Sequence, residues 1–415
     1  MEPMFTQKDL NIAPERRASI PVKKSTQLKR GSVVAQALES LFMGEPATVI
    51  SSPPGAGKTT TMVDLASFLL RHCDLEVELW TPTRAGAYAL AEKIVAEVDA
   101  REPGGDCPVE LAVNGLTPPD NMVDRPKAKR HVTVRTVASA VLSQPKVEVA
   151  LVDEAYQVTY ADLASASDRV EQLLMVGDSG QIGPVVTADV SLFAKRAVQP
   201  HTRAPEYFLS KGYRHLTIPH TFRLGKVTTE AIQCLYDFPF ESKRPYRALR
   251  LGSRILDEIE GIPTAPVTTP EHFDAARAVV SRVKKLMLSE VLTDDGVIPV
   301  SEEQIAVVAA HNSQVISITA LLEMEGLSKV AVGTADSMQG GQWNVMVALD
   351  PITGYEMPAG HQMHTGRLCV MASRHVAHLS WVYPTDWLER LEATDEDESL
   401  DTDLAIQVRE NLLGF

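Results

Sequence analysis

Ser51-Ser52-Pro53-Pro54-Gly55-Ala56-Gly57-Lys58-Thr59-Thr60 is the stretch on which the fold turns. The apolar run Ala47 to Ile50 leads into it and reads as a short buried strand. After it, Met62, Leu65, Ala66 and Leu69 recur at helical spacing on one face. Strand, glycine-rich turn and helix make the context of a phosphate-binding loop. Gly55 and Gly57 let the backbone curl so that successive N–H groups converge on one anion. The helix N-terminus adds its partial positive charge. Lys58 can reach the β- and γ-phosphates of a nucleotide, and the Thr59 hydroxyl can hold Mg²⁺. Pro54, Gly55, Ala56, Gly57, Lys58, Thr59 and Thr60 are therefore the candidate nucleotide-binding residues, with ATP and Mg²⁺ the expected cofactors. Ser52 stands where the pattern usually has its first glycine. An ordinary tight turn before a helix is the competing reading, and Gly-Lys-Thr-Thr in this context speaks against it.

Working outward, a chain of 415 residues is long enough for two or three domains. Its composition, 44% hydrophobic and 23% charged, is that of a soluble globular protein. No apolar run approaches the roughly 20 residues needed to cross a bilayer, and the polar, basic N-terminus lacks an apolar signal core. No membrane partner is expected, and the expected location is the cytoplasm, bacterial or that of a host cell. Cys73, Cys107, Cys234 and Cys369 are scattered and read as reduced thiols. His361, His364, His375 and His378 lack a convincing zinc set. The net charge of −14 argues mildly against a protein coated in nucleic acid, but leaves room for a local basic groove. The first thirty residues lean basic, while residues 392–403 carry seven acids and no base. Both ends therefore read as solvated, a flexible basic arm over 1–30 and an acidic tail with a short helix over 390–415.

Residues Val33 to Phe42 suggest a helix, and Val77 to Trp80 a second strand that closes on Thr81-Pro82-Thr83-Arg84 before another helix. Residues 101–130, rich in Pro, Gly, Asp and Lys, read as a long loop or small insertion. A strand from His131 to Arg135 closes on Thr136, and Val149 to Val152 is a buried strand that ends in Asp153-Glu154-Ala155. A strand closing on paired acids suits the second half of a phosphoryl site: Asp153 can hold Mg²⁺, and Glu154 can orient or deprotonate the attacking water. The strand Leu173 to Val176 ends in Gly177-Asp178-Ser179-Gly180-Gln181, where Gln181 can sense a γ-phosphate. From Ile305 onward a second strand and helix series begins. It runs through Ser313–Met324 (helix), Val330–Gly333, Val345–Leu349, a helical segment carrying Arg367 and Ser373-Arg374-His375, and a closing strand from Leu379 to Tyr383. The second half thus reads as another parallel α/β layer, without a phosphate-binding loop of its own.

Seven segments stand in a fixed order: Pro-Pro-Gly-Ala-Gly-Lys-Thr-Thr, Thr-Pro-Thr-Arg, Val-Asp-Glu-Ala, Gly-Asp-Ser-Gly-Gln, Thr-Phe-Arg, Thr-Ala-Asp-Ser-Met-Gln-Gly and Met-Ala-Ser-Arg-His. Over about residues 45–384 this set resembles the core of superfamily 1 helicases. The closest likeness is to the 5′-to-3′ branch that includes RecD-like DNA helicases and the RNA helicases of nonsense-mediated decay. Ser-Arg-His at 373–375 also resembles helicase domains of plus-strand RNA virus replicases. The resemblance implies an α/β fold of two tandem RecA-like P-loop domains with parallel sheets, over 31–213 and 214–389, with ATP in the cleft between them and a single strand across their top. It places Lys58 and Thr59 on the phosphates and Mg²⁺, Asp153 on the metal, Glu154 on the catalytic water and Gln181 beside the γ-phosphate. Arg223 and Arg374 become two arginine fingers, and Gly340 joins the nucleotide-binding residues. Gln342 stands where a glutamate commonly follows the Gln-Gly pair, which leaves that glutamate's usual role without a bearer.

On this footing the expected activity is an ATP-driven helicase or translocase on single-stranded nucleic acid, DNA favoured, moving 5′ to 3′. A nucleic-acid-stimulated ATPase that remodels nucleoprotein without unwinding, or a viral-type RNA helicase, is the alternative. The expected strand grips are loops after strands, namely Thr81, Pro82, Thr83 and Arg84, then Thr136, His311 and Asn312, and Thr334 and Ser337, whose hydroxyls and N–H groups can bind phosphates without reading sequence. Trp343 and Phe222 could stack on a base but read better as core packing. A monomer is expected, with replication or repair proteins as further partners.

Overall fold

The computed structural model describes residues 31–100, 105–193, 195–196, 198–270, 272–393 and 402–414. The basic arm over 1–30 and the acidic run over 394–401 lie outside the described residues. The described residues pack as two units. One takes in the chain up to Ser52, Gly57–Ser179 and Gly183–Ile218; the other takes in Pro53–Ala56, Gly180–Ile182 and the chain from Pro219 onward.

In the first unit, seven strands form one parallel sheet: β1 (Ala47–Ser51), β2 (Val77–Thr81), β3 (Cys107–Leu111), β4 (Lys127–Thr136), β5 (Val147–Val152), β6 (Val170–Gly177) and β7 (Arg214–Thr217). Their spatial order is β3-β4-β2-β5-β6-β1-β7. Helices cover both faces of a parallel sheet, so its central strands are apolar on both sides. Val49, Ile50, Leu151, Val152, Leu174 and Val176 are accordingly fully buried. Parallel pairing aligns the carboxyl ends of β2, β5, β6 and β1, and ligands of open α/β sheets bind at that edge. The stretch expected as a loop over 101–130 is corrected in part: Cys107–Leu111 is an edge strand, and β4 starts at Lys127 rather than His131. Pro108 disguises this strand in the sequence. An edge strand tolerates proline, and the β3–β4 register shifts beside it.

The second unit opens with a short parallel pair, β8 (His220–Thr221) and β9 (Glu241–Ser242). An antiparallel sheet follows, in order β11-β10-β13-β14, from β10 (Arg247–Leu251), β11 (Arg254–Leu256), β13 (Ser289–Thr293) and β14 (Gly296–Pro299). The parallel sheet is β12-β18-β17-β15-β16, built from β12 (Ile259–Thr264), β15 (Ile305–Ala309), β16 (Ala331–Thr334), β17 (Trp343–Leu349) and β18 (His375–Pro384). The series therefore begins before Ile305. Gly261 and Pro263 make β12 read as a loop, yet it is an edge strand paired to β18. The helix Phe273–Leu286 buries Ala275, Ala276, Val279, Val280, Val283 and Leu286, an i, i+3/i+4 stripe packed in one core cluster with β15 and β17.

The tail corrects a further expectation. The helix Thr402–Leu413 is no solvated appendage: Ala405, Val408 and Leu412 are buried in the core with Trp381 and Trp387. Arg409 is fully buried and pairs through Nε and Nη2 with both carboxylate oxygens of Asp350, which also accepts the indole N–H of Trp381 at 2.7 Å.

Candidate nucleotide-binding and hydrolysis site

The loop after β1 has the backbone that its sequence demands. Gly55 and Gly57 adopt φ of +70° and +87°, in the left-handed region that favours glycine. Gly57 begins the helix Lys58–His72, and no side chain among the described residues caps that end. Its first N–H groups are left to a ligand. Ser52, in place of the expected glycine, is buried and useful: its hydroxyl and its N–H both donate to the carbonyl of Gly177, each at 3.0 Å, and tie the loop's start to the end of β6. Thr59 is half-buried and Thr60 exposed in the first helical turn.

Lys58 Nζ lies 3.8 Å from Glu154 Oε1 and 3.7 Å from Asp178 Oδ2. The lysine is thus held among carboxylates at the ends of β5 and β6. Asp178 was missed as a site residue. Its signal was available, since it closes β6 as Asp153 closes β5. Asp153 accepts the backbone N–H of Glu154 at 2.9 Å. Burial, and then the neighbouring charge of Glu154, push the Asp153 carboxyl up to about 7, with Lys58 opposing. Glu154 itself holds a left-handed backbone, φ +49°, a strained conformation for a side-chain-bearing residue. The nucleotide and Mg²⁺ fit these residues: the glycine loop offers uncapped N–H groups, and the buried Asp153 carboxylate gains from a cation beside it.

In the second unit, the loop tip meets Thr221 and Arg223. The Thr221 hydroxyl donates to the carbonyl of Pro54 at 2.6 Å, and the Phe222 N–H donates to Gly55 at 3.0 Å. A Cβ on Gly55 would lie 2.3 Å from the Cβ of Arg223, so the close approach also requires glycine. Arg223 donates through Nε to Gln342 Oε1 at 3.2 Å and through Nη1 to the carbonyl of Ser373 at 3.4 Å. Gln342, the departure noted in the sequence, thus holds Arg223. Arg374 is buried and donates through Nη2 to Gln181 Oε1 at 2.8 Å, while its Nε has no hydrogen-bond partner among the described residues. Arg374 sits at the joint between the helix Thr365–Ala372 and β18, with His375 already in the strand rather than in the helix. His375 anchors that joint: its Nε2 lies 2.9 Å from the Thr228 hydroxyl, which donates to Glu258. Burial of Glu258 is outweighed by hydrogen bonding and charge from His375, Thr228 and Arg244, which hold its carboxyl down at about 2.

The residues expected to grip a strand all lie at carboxyl ends of strands, and their hydroxyls already have local work. The Thr81 hydroxyl donates to the carbonyl of Thr83, and Thr83 and Thr136 cap their helices by accepting N–H groups of Gly86 and Ser139. The Ser337 hydroxyl donates to the Thr334 carbonyl at 2.9 Å, and His311 N–H donates to Gln314. Pro82 is half-buried, and Arg84 and Asn312 are exposed. Gly340 occupies a turn, φ +88°. Phe222 is 52% exposed against His220, so it is not core; Trp343 is half-buried and packs on the core.

Residues 34–217 match the AAA domain family. That match covers less than half of the chain and lies mostly in the first unit, which is thus similar to AAA domains. No curated protein matches the chain. Among solved structures, it aligns with arterivirus nonstructural protein 10 (helicase) at 18% identity, over 93% of this chain and 66% of that one, TM-score 0.47. The complex of arterivirus nonstructural protein 10 with DNA aligns at 17% identity over 87% and 66%, TM-score 0.48. The PRRSV helicase aligns at 15% identity over 86% and 56%, TM-score 0.44. The chain therefore spans less than two thirds of the length of these proteins. Among the described residues no helix is long and apolar enough to cross a membrane.

Proposed function

We propose that this chain is an ATP-hydrolysing helicase or translocase acting on single-stranded nucleic acid, DNA favoured and 5′-to-3′ in direction. The domains are proposed over 31–213 and 214–389. The observation that carries the reading is the cluster at the carboxyl ends of β1, β5 and β6, where Lys58 lies within 4 Å of Glu154 and Asp178 beside the left-handed glycine loop. Lys58 and the loop N–H groups would bind the triphosphate, and Thr59 and Asp153 would hold a Mg²⁺ ion that would supply charge neutralisation at the phosphates. Glu154 orients the attacking water and takes its proton on a carboxylate oxygen. Gln181 senses the terminal phosphate, and Arg374, whose side chain it holds, stabilises the charge that develops there together with Arg223. The grips Thr81 to Arg84, Thr136, His311, Asn312, Thr334 and Ser337 supply sequence-independent phosphate contacts.

The test is ATP hydrolysis titrated in parallel with DNA and RNA single strands, for the parent and for Glu154→Gln. Turnover stimulated by a strand, and abolished in Glu154→Gln while nucleotide still binds, is expected. Turnover indifferent to any strand overturns the nucleic-acid reading. A forked duplex then decides between unwinding and remodelling without unwinding.

A further inference from the structure

Three aromatic rings cluster at the carboxyl edge of the second unit's parallel sheet, and of these the reading above uses only His311. His311 follows β15, and Tyr355 follows the neighbouring strand β17. His361 lies in the short helix Gly360–Met363. The ring centroids of Tyr355 and His311 are 4.8 Å apart with planes tilted by 43°, and those of His311 and His361 are 4.8 Å apart with a tilt of 32°. His311 is the middle rung. Tyr355 and His311 are half-buried, and His361, the outer rung, is exposed.

Hydrogen bonds hold the middle rung in place. Gln362 accepts the Ala359 N–H through Oε1 at 3.0 Å, which turns its amide NH₂ toward His311 Nε2 at 3.2 Å. This contact ties the His311 ring to the short helix that carries His361. Partial burial, and then the charge of Arg367, hold His361 below the ordinary histidine range, with Asp336 opposing. The outer ring of the cluster faces solvent. Rigid aromatic groups lose little conformational freedom when a flat partner settles on them. Asn312, Thr334 and Ser337 stand at the ends of β15 and β16, on the same edge of the same parallel sheet. Stacking bases on aromatic side chains beside backbone contacts is how sequence-tolerant single-strand sites are built.

We propose that His361, backed by His311 and Tyr355, is a stacking platform for one nucleobase of the bound single strand. The proposal rests on the nucleic-acid reading above and adds to it the class of contact and the residue that makes it.

The experiment measures fluorescence anisotropy of a labelled thymidine oligonucleotide and of an abasic oligonucleotide of the same length, with the parent, His361→Ala and His361→Trp. The parent should prefer the strand that carries bases. His361→Ala should weaken its binding by roughly tenfold and leave the abasic strand nearly unaffected, and His361→Trp should restore the preference. Equal weakening of both strands, or no weakening of either, overturns the platform. Strand-stimulated turnover of the parent separates the two levels: if it is present and His361→Ala binds like the parent, only the platform fails, whereas if it is absent and the parent binds neither strand, the nucleic-acid reading fails and the platform with it.

Discussion

Removing the guanidinium of Arg409 tests whether the last helix belongs to the second unit's core. Arg409 and Asp350 are both fully buried. Arg409 donates Nε to Asp350 Oδ2 and Nη2 to Oδ1, each at 3.0 Å, and Nη1 to the carbonyl of Ala405 at 3.0 Å. In Arg409→Met the Asp350 carboxylate keeps two donors, the Trp381 indole at 2.7 Å and the Ile352 N–H at 3.1 Å. It loses its only charge partner among the ion pairs of the described residues. Breaking a buried pair from one side costs about 3–5 kcal/mol, because the remaining charge is left in a low-dielectric interior. For a unit of roughly 200 residues each kcal/mol moves the melting temperature by about 2–4 °C, so a fall of roughly 6–20 °C is expected. Arg409→Met combined with Asp350→Asn removes both charges and should recover most of that loss, giving a coupling of about 2 kcal/mol or more. The assay is thermal unfolding followed by tryptophan fluorescence for the four proteins of the cycle, since Trp381 and Trp387 lie in the affected core. An Arg409→Met protein as stable as the parent, or a double variant no better than the single one, refutes the reasoning. The same logic predicts that truncation after Pro384 yields little soluble protein.

Three further outcomes are expected. Lys58→Ala should abolish ATP turnover in a folded protein, read by hydrolysis beside circular dichroism, because it removes the point charge at the phosphates. Arg374→Ala should keep most nucleotide affinity and lower single-turnover hydrolysis on the order of 10³-fold, and near-parental hydrolysis with intact strand stimulation would exclude it as a finger. Glu258, held at about 2 against an ordinary 4.5, has a depressed folded value, so its contribution is present above 4.5 and lost as pH falls toward 2. Glu258→Gln should therefore flatten the acid limb of stability between those values, measured by urea unfolding across pH; an unchanged slope would assign the acid loss elsewhere.

The sequence alone determined the features whose physics is local. The glycine loop, the strand before it and the helix after it are contiguous, so chain order suffices to read them. Acids that close apolar runs, as Asp153 and Glu154 do, are legible because a parallel sheet carries ligands at strand ends. The same rule would have found Asp178. What lay beyond reach depended on partners distant in the chain or on exceptions that only position excuses. β3 and β12 contain Pro108 and Pro263, residues that argue against a strand until the strand is known to be an edge. The tail looked solvated because the acids before it outweigh a short apolar stripe, and a buried arginine reads as surface until Asp350 is seen 59 residues away. Gln181 and Arg374 are 193 residues apart, and Arg223 and Gln342 are 119 apart. Their pairing is a product of folding topology, as is the meeting of His311, Tyr355 and His361 on one sheet edge. No periodicity records such contacts, because the sheet order that creates them is set by packing rather than by neighbours in the chain.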